Sequence, residues 1–66
     1  MAGLQELGDA IRSARREAGL SQVELAELVG LSDRTLRDIE RGSTSPSIGS
    51  IMRVADALGL SMGVTR

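Results

Sequence analysis

The sequence predicts an all-α domain of four short helices, with space for a fifth helical turn, followed by a short C-terminal β-strand. Three observations carry this prediction. Apolar residues recur at the three- and four-residue spacing of an amphipathic helix in four stretches. Each stretch ends at a glycine where helices commonly stop, and these glycines are Gly19, Gly30, Gly42 and Gly59. After the last glycine the pattern changes to the alternation that is typical of a strand.

The first helix is predicted from Leu4 to Ala18, because apolar residues share one side of it and charged residues fill the other. Gly8 lies inside this helix and should cost about 0.5–1 kcal/mol relative to alanine. We therefore expect another helix to pack closely against Gly8.

The second and third helices are separated by a very short turn. A capping box opens the second helix, because Ser21 is followed three residues later by Glu24. That helix ends at Gly30, and the next N-cap candidate, Ser32, follows almost at once. The third helix is predicted from Asp33 to Arg41.

The fourth helix is predicted to extend from its N-cap, Ser47, through Leu58, after a loop over residues 43–46. The tail beyond it alternates between apolar and small or polar residues. Three apolar residues would share one face of a strand, and these are Leu60, Met62 and Val64.

A chain of 66 residues forms one domain with a small core. We expect the helices to form one domain over residues 1–60, with a helix-turn-helix unit over residues 21–41. Residues 61–66 are expected to form the C-terminal strand or tail.

The composition excludes most catalytic chemistry. The chain has no Cys, no His and no aromatic residue, and its eight basic residues are all Arg. Disulfides, the commonest metal ligands and general bases, and a Schiff-base lysine are therefore absent. We expect no cofactor, no metal site and no enzymatic activity. No apolar run is long enough for a membrane span and no signal peptide is evident, so we expect a cytoplasmic protein without a membrane partner.

The net charge of −1 argues mildly against binding to nucleic acid, whose phosphates attract basic proteins. The distribution of charge argues the other way. Projected at the helical period, five charged residues of the third helix share an arc of about 140° opposite its apolar side. They are Asp33, Arg34, Arg37, Asp38 and Arg41. A helix-turn-helix unit places its second helix in the major groove, so this face predicts double-stranded DNA as the ligand.

The chain from Leu4 to Leu60 resembles the Cro/lambda-repressor (Xre) family of helix-turn-helix domains. The resemblance rests on Gln22 at the start of the second helix, the Ala26–Gly30 spacing, the Ile39–Gly42 ending and a proline before the last helix. It implies a lambda-repressor-like fold and sequence-specific binding to an operator.

The resemblance also implies roles for individual residues. Base contacts fall to Asp33, Arg34, Arg37 and Asp38. Phosphate contacts fall to Ser21, Gln22, Thr35 and Arg41. Arg15 and Glu40 are implied to form an internal ion pair between the first and third helices. Arginine suits guanine, and aspartate can accept from cytosine. The two aspartates could instead hold Arg34 or Arg37 in position.

The tail is similar to that of the HipB-type antitoxins, Xre-family proteins whose tails pair across a dimer. An unpaired strand needs a partner, and a second copy of the same tail would supply it through Leu60, Met62 and Val64. This similarity implies a homodimeric repressor of its own operon, with a HipA-type toxin as a partner protein. A tail without ordered structure, or a chain cut from a longer protein, stays open as an alternative. A phage-type or restriction-controller regulator of the same family stays open beside the antitoxin.

The alternative function is a protein-interaction module that neutralises a partner protein, with DNA binding secondary or absent. The acidic balance and the two aspartates on the third helix favour it. Arg34→Glu discriminates between the two functions, because it should abolish DNA binding and leave partner capture intact.

Overall fold

The computed structural model describes residues 3–60, and within them it contains four α-helices. They are α1 (Leu4–Glu17), α2 (Gln22–Val29), α3 (Asp33–Glu40) and α4 (Ile48–Ala57). The predicted all-α fold is confirmed. The described part contains no strand, and the predicted strand residues Met62 and Val64 lie outside it. None of the helices in residues 3–60 is long and apolar enough to cross a membrane.

Three helices end one residue earlier than predicted. The sequence predicted helical residues at Ala18, Arg41 and Leu58, and each of these is the C-cap of its helix. A C-cap still donates its N–H to a carbonyl of the last turn, so the hydrogen-bond pattern continues through it. Apolar periodicity alone does not separate this half-helical position from the helix.

The core lies where all four helices meet. One large side chain from each helix is fully buried, and these are Ile11, Leu25, Leu36 and Val54. Helix α3 packs against both α1 and α2, while α4 packs against α2. The apolar side of α3 is therefore covered from two directions, and its opposite side is left to solvent.

Gly8 lies at the close contact that the sequence predicted, where α1 meets the C-terminal end of α3. A Cβ atom at Gly8 would lie 2.6 Å from each of the carbonyl oxygens of Ile39 and Glu40. Real Cβ atoms do not approach backbone oxygens so closely. The missing side chain thus sets the distance between α1 and α3.

Candidate nucleic-acid interface

The connection between α2 and α3 is short and fully hydrogen-bonded. Gly30 adopts a φ of +75°, and the following N–H, that of Leu31, donates to the carbonyl of Ala26 at 2.9 Å. This left-handed glycine ends α2 and turns the chain within one residue. The Ser32 hydroxyl then accepts from the Thr35 N–H at 3.0 Å and begins α3. The orientation of α3 is therefore fixed at its N-terminus.

The start of α2 carries the capping box that the sequence predicted. The Ser21 hydroxyl accepts from the Glu24 N–H at 3.0 Å, and the Glu24 carboxylate accepts from the Ser21 N–H at 2.8 Å. The bond from the Ser21 N–H, with the Ser21 side chain second, lowers the pKa of Glu24 below its ordinary value. Both groups satisfy backbone donors that a helix N-terminus leaves unpaired.

The outer side of α3 presents the charged face that the projection predicted. Three of its side chains and that of its C-cap residue line one shallow cleft of about 260 Å³, and these are Arg34, Arg37, Asp38 and Arg41. Asp33 is exposed at the start of the same helix. Thr35 is half-buried, and its hydroxyl accepts a hydrogen bond from the Ser32 hydroxyl at 2.9 Å. The structure therefore brings three guanidinium groups together on one surface.

Asp38 is paired with a different arginine from those that the sequence suggested. Its Oδ1 atom accepts from Nη2 of Arg41 at 2.7 Å, one helical turn further along α3. The sequence interpretation had offered Arg34 or Arg37 as the arginines to be held, and for Asp38 that choice was wrong. Residues three apart on a helix are neighbours, so the pairing with Arg41 is sterically direct.

Arg15 and Glu40 lie in contact between α1 and α3. Nε of Arg15 donates to Oε2 of Glu40 at 2.7 Å, and Nη2 donates to Oε1 at 3.2 Å. Nη1 of the same arginine donates to the carbonyl of Leu20 at 2.8 Å. Both side chains are buried, with relative exposures of 8% for Arg15 and 5% for Glu40. The two parallel hydrogen bonds pair two opposite charges, each of which would be costly to bury alone in the low dielectric of the interior.

Gln22 joins this network, which the sequence did not predict. Its Nε2 atom donates to Oε1 of Glu40 at 3.0 Å, although the resemblance assigned the side chain to a DNA phosphate. An amide nitrogen has two N–H groups, so one remains after the bond to Glu40. Gln22 and Glu40 are distant in sequence, and no spacing rule connects them.

Several large apolar side chains are exposed rather than buried. They are Val23, Leu28, Ile48 and Met52, with Leu28 at 70% and Ile48 at 65%. Leu28 and Ile48 stand at helical spacing with the buried apolar residues of α2 and α4, so the sequence pattern alone does not mark them as exposed. Leu60, which the sequence assigned to dimerisation, is partly buried against the core of its own chain. The other two dimerisation candidates, Met62 and Val64, lie outside the described residues.

Comparison with known proteins agrees with this geometry. The family model described as Helix-turn-helix matches residues 11–64. An immunity repressor protein of Bacillus phage phi105 is 44% identical over 54 residues, which are 82% of this chain and 38% of the repressor. An uncharacterized HTH-type transcriptional regulator of Methanothermobacter thermautotrophicus is 49% identical over 49 residues, 74% of this chain and 71% of the relative. This chain thus spans well under half of the phage repressor.

Solved structures show the same fold. A chain in the HipA-HipB-O2-O3 complex matches with a TM-score of 0.83 and 23% identity, covering 100% of this chain and 93% of the other. A chain in the HipB-O4 20mer complex matches equally well, with a TM-score of 0.83. With the fold, the helix-turn-helix geometry and these relatives in agreement, the chain belongs to the Xre-type helix-turn-helix family of DNA-binding transcriptional regulators.

Proposed function

We propose that this protein is a homodimeric repressor that binds a double-stranded operator in its own operon, and that it is the antitoxin of a toxin–antitoxin pair. One observation carries the DNA-binding part of the proposal. The guanidinium groups of Arg34, Arg37 and Arg41 line a single cleft on the outer side of α3. Arginine donates two parallel hydrogen bonds to guanine in the major groove and also neutralises phosphates.

The distribution of charge supports DNA as the ligand despite the acidic total. Glu40 is buried against Arg15 and contributes no free charge to the outer side of α3. Asp38 is already paired with Arg41. Arg34 and Arg37 remain as unpaired cations within the part of the chain that the structure describes. The local charge near the DNA is therefore more positive than the net charge of −1 suggests.

The dimeric part of the proposal rests on the exposed apolar side chains of α4 and on the tail pattern. Ile48 and Met52 are one helical turn apart, both are exposed, and α4 directly precedes the tail. A second copy of the chain would cover them together with Met62 and Val64 of the tail, while Leu60 packs partly against the core of its own chain. Two copies would place two α3 helices in successive major grooves, with half-sites about 34 Å apart.

The antitoxin part of the proposal rests on likeness to HipB, which occurs in a complex with HipA. The partner would be a toxin protein of the HipA type, and both would act in the cytoplasm, where the operator is. Phosphate contacts would come from Ser21, Gln22, Thr35 and Arg41. Base contacts would come from Arg34 and Arg37, with Asp33 as a further candidate.

A footprint tests the proposal directly. The protein would be titrated onto a labelled fragment from upstream of its own gene, with the same fragment in scrambled order as the control. We expect protection of two half-sites on one side of the duplex, and repression of a reporter fused to that promoter. Protection of neither fragment would overturn operator binding.

The second candidate function is a module that captures a partner protein without binding DNA. The net charge of −1 favours it, because the phosphates of DNA attract basic proteins, and Leu28 of α2, which is 70% exposed, would be one apolar contact for such a partner. Arg34→Glu separates the two functions. If the protein is a repressor, this variant loses the footprint; if it is only a capture module, the footprint is absent from the wild type as well.

A further inference from the structure

We propose that Asp38 is a positioning residue that holds Arg41 toward the DNA backbone and does not read a base itself. The inference deepens the proposed function and rests on it, because it assigns different tasks to the residues of one DNA-binding surface. It leaves base recognition to Arg34 and Arg37, with Asp33 as the further candidate, and it predicts guanine at the positions that the two arginines contact.

The exposures of the two partners differ in the direction that positioning requires. The side chain of Asp38 is 19% exposed, whereas the side chain of Arg41 is 73% exposed. A largely covered carboxylate has little freedom to reach out to a base edge. A largely exposed guanidinium is free to contact DNA while one of its nitrogens is held. The covered partner is therefore the anchor.

The pair uses only a small part of the hydrogen-bonding capacity of Arg41. A single bond, from Nη2 to Oδ1 of Asp38 at 2.7 Å, joins the two side chains. A guanidinium has five N–H groups, so four remain for a phosphate. The bond also restricts the conformations of a long side chain before DNA arrives, which reduces part of the rotamer entropy that binding would otherwise cost.

The choice of partner leaves the other two arginines available. Asp38 is four residues after Arg34, a spacing at which an ion pair could also form. The structure shows no such bond, and among residues 3–60 neither Arg34 nor Arg37 has an acidic partner. All three guanidinium groups still line one cleft with Asp38. Asp38 thus divides the surface into one held arginine and two free ones.

A competing role for Asp38 predicts the opposite sign. If Asp38 competed with phosphate for Arg41, its removal would strengthen binding more when Arg41 is present than when it is absent. If Asp38 positions Arg41, its removal is more harmful when Arg41 is present. The loss of one negative charge near the phosphates occurs in both backgrounds. It therefore cancels in a double-mutant cycle, which isolates the pairwise contribution.

The experiment uses the whole chain and two DNA probes. Wild-type protein first enriches a duplex from a randomised pool, and a scrambled version of that duplex is the second probe. Dissociation constants are then measured for the wild type, Asp38→Asn, Arg41→Ala and the double variant. The base preference of Asp38→Asn is determined by a second enrichment, and melting temperatures verify that each variant is folded.

We expect Asp38→Asn to raise the dissociation constant by a factor about two- to fivefold larger when Arg41 is present than in the Arg41→Ala background, on both probes. We expect its enriched sequence to match that of the wild type. Three results would overturn the inference and leave the proposed function intact. They are a loss of base preference at one position in the sequence that Asp38→Asn enriches, no coupling between Asp38 and Arg41, and coupling of the opposite sign. If the wild type enriches no sequence, the proposed function fails and this inference fails with it.

Discussion

At the scale of single residues, Gly8 shows how one missing side chain sets a helix–helix distance. In an exposed helix, alanine would be favoured over glycine by about 0.5–1 kcal/mol. At Gly8 the added Cβ would lie 2.6 Å from two backbone oxygens of α3, which cannot rotate away. We expect Gly8→Ala to lower the free energy of unfolding by about 1–3 kcal/mol, as overpacking does elsewhere.

Gly49 supplies the matched control for this prediction. It lies in the first turn of α4, and among residues 3–60, apart from the backbone of its own helix, the one heavy atom within 4 Å of a Cβ there would be the Ser47 hydroxyl oxygen at 3.9 Å. Gly49→Ala should therefore raise the free energy of unfolding by up to about 1 kcal/mol. Urea denaturation of both variants measures the difference. Equal effects of the two substitutions would contradict the packing explanation.

The ion pair between Arg15 and Glu40 leads to a second residue-scale prediction. Arg15→Met leaves the Glu40 carboxylate buried, with Gln22 as its one remaining side-chain partner among residues 3–60. We expect a loss of about 3–5 kcal/mol in the free energy of unfolding. Combining it with Glu40→Leu should restore much of the stability, because the unpaired charge is then gone. A double variant as unstable as the sum of the two single ones would contradict this account.

The sequence predicted the positions and contacts of some single residues and missed those of others. The face of α3 followed from its period, and the contact between Arg15 and Glu40 followed from the family resemblance. The partner of Asp38 did not follow, because a helical projection gives angles and leaves open which of several neighbouring arginines a carboxylate binds. The bond from Gln22 to Glu40 joins residues far apart in sequence, so only the packing of α2 against α3 reveals it.

At the scale of elements, local chemistry predicted where helices begin and end. Serine N-caps and terminal glycines act within a few residues, so their effect is readable from the sequence. The burial of apolar residues was less predictable. In α2, which has eight residues, and at the first turn of α4, the pattern could not show that Leu28 and Ile48 lack a covering neighbour.

The capping box of α2 gives an element-scale prediction about pH. Its bonds lower the pKa of Glu24 in the folded state below the ordinary value of 4.5. A carboxyl of this kind stabilises the folded state above its unfolded-state pKa, and this contribution is lost as the pH falls through the folded-state pKa. Glu24→Gln keeps a capping side chain but does not titrate.

Thermal melts of wild type and Glu24→Gln at a series of pH values test this prediction. The melting temperature of the wild type should exceed that of Glu24→Gln by a constant amount near neutral pH, and this difference should shrink as the pH falls below 4.5. Glu27→Gln, on the same helix, corrects for the general effect of removing one negative charge. An advantage of the wild type that grows toward acid pH would contradict the role assigned to Glu24.

At the scale of the whole molecule, the proposed repressor would act as two copies of the chain. Met62→Asp would place a charge on the apolar side of the predicted tail strand. We expect it to shift the protein toward monomer in sedimentation experiments and to weaken operator binding. Ser61→Asp adds the same charge on the opposite side of the alternation and serves as the control. If Met62→Asp remains a dimer, the prediction that the tail forms the dimer interface is wrong.

The central claim is that the outer side of α3 binds DNA, and fluorescence anisotropy of the footprinted duplex at several salt concentrations tests it most directly. Arg34→Ala is compared with Arg53→Ala, which removes the same charge from an arginine of α4 that donates to the Val29 carbonyl at the C-terminal end of α2. We predict binding that weakens steeply with salt, a loss of about tenfold or more in Arg34→Ala, and little loss in Arg53→Ala. Equal losses in the two variants, or equal binding of a scrambled duplex by the wild type, would contradict the claim.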